Sequence, residues 1–448
     1  VWPSKMSRVP SPPWKKMHST KTIMVPLPQS RKRHMPIDPF TYQQNTLACE
    51  DVPLAEIAAS AGTPVYVYSK AELLNRARAF RQAAGDDALV CYAVKANGNP
   101  SLLRLLQADG LGADVTSGGE LFLALQAGTA PRKIIFSGVG KRADEIESAV
   151  AAEICALHVE SEMEMEAVAR AARELRRVAR IAVRVNPDIK AETHPYDSTG
   201  RLEHKFGVPR ETAVALYERA AGDPWLDPIG LAAHIGSQIT AIRPYEELTL
   251  FLLELAADLA ARGIKISTID AGGGLGINYG EDSAPPIVDW MAAVAQPLRR
   301  AGYRLVVEPG RSIVGPAGAL LTSVLYTKEQ GGKSFIIVDA GMNDLIRPAL
   351  YNAYHPIRTV EKADDEAPLA AQDVVGPVCE TGDFLARERL LPAVAQGDLL
   401  AVMQAGAYGF AMSSNYNGRC RPAEVLVDGD QFHIIRRRQQ VEHLLDGC

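Results

Sequence analysis

Four short stretches of this chain carry side chains that could do chemistry together. Lys95 closes the apolar run Leu89-Val90-Cys91-Tyr92-Ala93-Val94, which reads as a buried strand. A lysine there is either a surface charge or an amine held partly desolvated. In the second case its pKa falls, and the neutral form attacks a carbonyl as a Schiff-base nucleophile. Gly272-Gly273-Gly274-Leu275-Gly276 follows another apolar run. Its backbone N–H groups could surround a phosphate dianion. Ile277-Asn278-Tyr279-Gly280 does not open a helix, so a dinucleotide fingerprint is excluded. A plain structural turn remains the alternative. Glu308-Pro309-Gly310-Arg311 is either a turn with a solvated ion pair or a carboxylate for a cationic ring nitrogen beside a guanidinium for an anion. His234-Ile235-Gly236-Ser237 offers a core histidine, or an imidazole face for a cofactor ring with Ser237 donating to phosphate. Lysine, glycine run, carboxylate and arginine together describe a pyridoxal-phosphate site.

The elements that must position them recur regularly. Strand-like runs fall at 89–94, 111–115, 133–136, 155–159, 180–185, 229–234, 265–270 and 304–307. Helix-like segments lie between most of them: 118–126, with a capping box from Ser117 and Glu120; 162–178, capped by Ser161 with Glu164; and 210–221, 245–261 and 288–301. This alternation predicts an α/β fold built on a (β/α)8 TIM-like barrel, with a doubly wound open sheet as the alternative. Lys95, Asp114, Ser137, Glu160, Asn186, His234, the glycines at 272–274 and Glu308 all fall at or just past strand C-termini. Barrel enzymes build their sites on that face.

After Arg311 short β-like runs at 320–326, 334–339, 372–378, 398–403, 423–427 and 431–436 are separated by Gly, Pro, Asp and Asn, which predicts a mainly-β C-terminal domain (sandwich or barrel). The expected division is a basic, disordered extension over 1–34, an N-terminal segment over 35–70 packing with the β domain, a cofactor-binding barrel over 71–312 and the β domain over 313–448. The extended stretch 63–68 could belong to either domain.

Composition sets the outer limits. A chain of 448 residues exceeds one ordinary core. Its 47% hydrophobic and 23% charged content is that of a globular protein, and a net charge of −5 offers no field for nucleic acid. Six cysteines lie without metal-ligand spacing, which suits a reducing cytoplasm and predicts no metal. No apolar run reaches the roughly 18 residues that cross a membrane. The first 34 residues are basic and acid-poor. They read as a disordered tail or an upstream start before Met35, with an organelle transit peptide as the weaker alternative.

The motifs also carry a resemblance. Tyr92–Asn97, the segment 185–196 (VNPDIKAETHPY), Lys205-Phe206-Gly207, 234–240 (HIGSQIT), 272–276, 308–313, 342–351 (MNDLIRPALY), 379–385 (CETGDFL) and 406–422 are similar to the diaminopimelate decarboxylases. That family belongs to the alanine-racemase-like barrel group, which also holds ornithine and arginine decarboxylases. His194-Pro195-Tyr196, Cys379-Glu380-Thr381-Gly382-Asp383 and Ser414-Asn415-Tyr416-Asn417 are its more particular marks. Cys420 departs from the family's usual proline.

The resemblance implies roles. Lys95 would hold the pyridoxal 5'-phosphate covalently, His234 would stack on its ring, and Glu308 would pair with the ring nitrogen. Ser237, Gly273, Gly274, Gly310, Arg311 and Tyr408 would hold its phosphate. Arg311, Arg347, Tyr351, Glu380 and Tyr408 would recognise the substrate, and Cys379 would donate the proton. It further implies a homodimer in which Cys379, Glu380 and Tyr408 enter the neighbouring subunit's site. The implied reaction is decarboxylation of meso-2,6-diaminopimelate to L-lysine. A relative acting on ornithine, arginine or carboxynorspermidine is the rival enzyme, and Arg347 argues against it because a buried guanidinium needs an anion. A catalytically silent regulatory protein is the other rival, opposed by Lys95 and Cys379 occurring together.

Overall fold

The structure, a computed structural model, describes residues 38–189, 205–280 and 283–448. Eight parallel strands close into a barrel: Leu89–Ala93, Gly112–Val115, Ile134–Phe136, Ala156–Val159, Ala179–Arg184, Leu226–Ala232, Thr268–Asp270 and Arg304–Val307. Closure comes from Val306 and Val307 pairing with Leu89 and Val90. These strands are three to seven residues long and mostly apolar, because helices cover their outer face while side chains fill the interior. All eight expected strands are present, which decides against the open sheet. The sixth starts three residues earlier than its sequence pattern suggests. Pro228 lies inside it, and the pairing register shifts between Pro228 and Gly230, as a residue without an N–H requires.

The helix ends hold a second departure. Ser117 and Ser161 accept from the N–H groups of Glu120 and Glu164, as expected. The glutamates do not return to the serines. Glu120 Oε2 accepts from Thr116 N–H at 2.7 Å, and Glu164 Oε2 from Glu160 N–H at 2.7 Å, each one residue upstream. The helix after the fourth strand stops at Leu175, where Arg176 turns left-handed at φ 53°.

Outside the barrel, Phe40–Gln43, Thr46–Cys49 and Val52–Pro53 form a small sheet, and a larger one is organised on the long strand Gly318–Gln330. Val65–Ser69 pairs with it antiparallel and with Ala423–Asp428 parallel, so the extended stretch at 63–68 is a sheet strand. The chain then enters the helix Lys70–Ala84 and the barrel. Phe384–Leu391 also joins this sheet. Its sequence FLARERLL hid it: Glu388 takes φ 48° and breaks the two-residue alternation. Among the described residues no helix is long and apolar enough to cross a membrane.

Candidate active site

Lys95 is lifted onto the barrel's C-terminal rim by a 3-10 turn, Val94–Ala96, that follows the first strand. Its Nζ donates to Asp114 Oδ2 at 2.7 Å. Asp114 is the penultimate residue of the second strand and is fully buried. Burial alone lowers the lysine's proton affinity, but Asp114 and then Glu308 outweigh it and hold the ammonium well above its ordinary range. The sequence-level expectation of a depressed pKa is therefore corrected. The carboxylates around this amine win over desolvation.

Glu308 belongs to the same buried group. Ser137 Oγ donates to Asp114 Oδ1 at 2.7 Å and lies 3.2 Å from His158 Nδ1. His158 in turn stands 3.7 Å from Glu308 and 3.7 Å from Asp270. Burial, with Asp114 and Asp270 adding, pushes the Glu308 carboxyl well above the usual carboxylate range. Burial likewise lowers the His158 imidazole to about 4 and holds His234 well below its ordinary value. His234 Nδ1 accepts the Gly273 N–H at 3.2 Å, so its neutral tautomer carries the proton on Nε2.

The glycine run bends tightly behind Glu308. A Cβ on Gly273 would stand 2.1 Å from Glu308 O, and one on Gly274, at φ +90°, 2.0 Å from Gly236 O. Only glycine permits these approaches. Gly310 caps the short helix Arg311–Val314. The Arg311 guanidinium donates to Ser237 Oγ at 3.0 Å and to Tyr279 OH at 2.9 Å, and stacks 4.9 Å above the Tyr408 ring. Tyr279 also carries the Arg347 guanidinium on its face, 4.8 Å from the ring centre. Arg311 and Arg347 are both buried.

The structure thus gathers Lys95, Glu308, His234, Ser237, Gly273, Gly274, Gly310, Arg311, Tyr408 and Arg347 around one rim, with Tyr351 half-buried at the end of the helix Arg347–Tyr351. Tyr408 needs a correction. Its N–H donates to Ala96 O at 2.8 Å, beside this chain's own Lys95, and its ring packs on this chain's Arg311, which departs from the expectation that it reaches a neighbouring subunit. Cys379 and Glu380 are exposed, and the bonds they make run to Asn417 and Tyr416. The motif His194-Pro195-Tyr196 and the basic extension over 1–34 lie outside the described residues.

Sequence reasoning passed over Tyr279, His158, Asp270 and His355. His158 sits inside the apolar run Ala-Leu-His-Val, the same signal that drew attention to His234. Tyr279 and His355 gave no local signal. A recess of about 460 Å³ at the opposite, N-terminal end of the barrel is lined by Arg78, Arg81, Lys133 and Arg304. Its cations are taken up by Asp109 and by loop carbonyls.

The donor set on the C-terminal rim fits pyridoxal phosphate: an amine, a buried carboxylate flanked by two neutral imidazoles, and a hydroxyl–guanidinium pair beside a glycine bend. Comparisons agree. The family model described as "Pyridoxal-dependent decarboxylase, pyridoxal binding domain" matches residues 48–315. The chain is 50% identical over 412 residues to diaminopimelate decarboxylase of Pseudomonas aeruginosa, covering 92% of this chain and 99% of that protein. Its fold matches the diaminopimelate decarboxylase of Helicobacter pylori solved with L-lysine, with a TM-score of 0.84, 40% identity, and coverage of 88% and 98%. The corresponding L-lysine complex from M. jannaschii matches with a TM-score of 0.87, 35% identity, and coverage of 92% and 98%. Barrel, rim chemistry and relatives along nearly the whole chain place it in the diaminopimelate decarboxylase family of pyridoxal-phosphate-dependent decarboxylases.

Proposed function

We propose that this protein decarboxylates meso-2,6-diaminopimelate to L-lysine and carbon dioxide, the last step of lysine biosynthesis. The observation that carries the reading is the buried stack Arg311–Tyr279–Arg347 beside the Lys95–Glu308 group. Guanidinium groups stay charged even when buried. Two of them on one ring suit two anions, the cofactor's phosphate and a carboxylate at the substrate's far end. Ornithine offers no such carboxylate.

Bound pyridoxal phosphate supplies an aldehyde that captures an amine and a ring that accepts the electron pair of the broken Cα–carboxylate bond. The chain supplies the rest. Lys95 Nζ would hold the aldehyde end. Glu308 would present a carboxyl with raised proton affinity to the ring nitrogen and hold a proton there. Ser237 and Arg311 would grip the phosphate, and Arg347 the far carboxylate. The Cys379 thiol would deliver the proton that takes the place of the lost carboxylate on Cα, and water would restore the thiol.

Cys379 and Glu380 would come from a second copy. Their exposure supports this, as do the half-exposed Leu350 and Tyr354 beside Arg347 and Tyr416 beside Glu380. Unpaired thiols at all six cysteines support a cytoplasmic setting. The deciding experiment measures carbon dioxide release by cofactor-loaded protein from diaminopimelate, ornithine, arginine and carboxynorspermidine. Release from diaminopimelate alone is expected. Preference for any of the others overturns the reading.

A further inference from the structure

We propose that His355 is a positioning residue that fixes the Arg347 guanidinium for a far-end carboxylate, and so sets this site's preference for ligands that carry one. The inference rests on the functional reading above. Arg347 opens the five-residue helix Arg347–Tyr351, and Asn352 turns left-handed at φ 51°. That turn returns the chain beneath Arg347, where Nη1 donates to His355 Nε2 at 2.8 Å. The other ring nitrogen, Nδ1, lies 2.9 Å from Met403 O. A guanidinium can only donate and a carbonyl can only accept, so these partners dictate one neutral tautomer with its proton on Nδ1.

The imidazole is fully buried. Burial and then Arg347 lower its proton affinity to a pKa of about 3, so it remains an acceptor near neutral pH. Two further contacts hold it. Arg389 donates to His355 O at 2.6 Å, and the Tyr279 ring packs edge-to-face at 5.1 Å.

Arg347 is therefore constrained at least twice among the described residues, by an in-plane acceptor and by the Tyr279 face. An in-plane bond and a face contact together define both place and tilt of a planar group. The choice of imidazole matters chemically. A carboxylate in this position would orient Arg347 equally well, but it would neutralise the charge and compete with the ligand's carboxylate. A neutral acceptor orients without cancelling the charge.

The product makes the test direct. L-lysine keeps the carboxylate that does not leave, and cadaverine is the same diamine without it. Two variants split the two ends of the imidazole. His355→Asn keeps a donor for Met403 O but is too short for Arg347. His355→Gln carries an acceptor out to the position of Nε2. In cofactor-loaded protein, His355→Asn is expected to weaken L-lysine binding about 10–30-fold, as the arginine's rotamer freedom returns. Cadaverine binding should stay within about two-fold of wild type. KM for diaminopimelate should rise with little change in kcat, and His355→Gln should recover most of the loss.

Equal weakening of both ligands, or unchanged L-lysine binding, overturns the inference. Should His355→Asn fail to fold, His355→Phe in the same assays decides it by the same criteria. A wild type that neither turns over diaminopimelate nor prefers L-lysine to cadaverine overturns the functional reading and this inference with it. A wild type that does both, beside indifferent variants, overturns only the inference.

Discussion

The site has two poles, and each manages like charges differently. Around Lys95, three carboxyl groups (Asp114, Asp270 and Glu308) crowd with His158 in a buried space. Around Tyr279, two buried guanidiniums face one ring. Carboxyl groups relieve burial and crowding by taking up protons: burial first, then neighbouring carboxylates, raises the proton affinities of Asp270 and Glu308. Guanidiniums have no such escape. The acidic pole can balance its own charge by taking up protons, whereas the basic pole keeps its charge, which suits the anions of the proposed ligands. Neighbouring parts of one rim thus treat charge in different ways, one by taking up protons and the other by keeping its cations.

The acidic pole is tested most severely at its amine. Lys95→Ala is expected to reduce activity to background and to abolish the borohydride-trapped cofactor adduct on this peptide. An adduct retained elsewhere in the chain would move the anchor. Removing the proposed proton donor leaves both poles intact. Cys379→Ala should still load cofactor while turnover falls about 10²–10⁴-fold, the range for a positioned acid. Mixing it with Lys95→Ala protomers should restore part of the activity, and confirmed subunit exchange with no recovery would place the whole site in one chain.

At the basic pole, Arg347→Met should raise KM for diaminopimelate by about 30-fold or more, as loss of a buried charged partner does, with a smaller change in kcat. If kcat carries the loss, Arg347 acts on the chemistry and not on recognition.

The smallest effect concerns Asp270. Burial raises its carboxyl above the unfolded value, and Asp114 adds to the shift. The native state then holds a proton that the unfolded chain has released. That stability is present below the unfolded pKa and is lost as pH rises through the folded one. Asp270→Asn keeps an acceptor for the Gly272 N–H, which now bonds Asp270 Oδ1 at 2.8 Å, and carries no charge. Its Tm relative to wild type should rise by on the order of a degree or two between pH 5 and pH 8. A difference constant across that range would show that Asp270 does not titrate with folding.

What the sequence alone determined was the local grammar. Eight apolar runs with polar residues at their ends specify the barrel and the rim, since strand period and helix caps are set by neighbours in the chain. Lys95, His234, the glycine bend, Glu308 and Arg311 were legible because each lies in the few residues that follow a strand. What only the tertiary structure decided was which of them meet, and with what. The direction of the Lys95 shift depends on Asp114, 19 residues away, and on Glu308, just past the last barrel strand, which closes the barrel by pairing beside the strand of Lys95. Tyr408 comes to this rim through a backbone bond to Ala96 and the packing of its ring on Arg311. Tyr279 and His355 acquire their roles only because distant segments bring Arg311, Arg347 and Met403 onto them. Electrostatic environment is set by proximity in space, and spacing along the chain does not encode it.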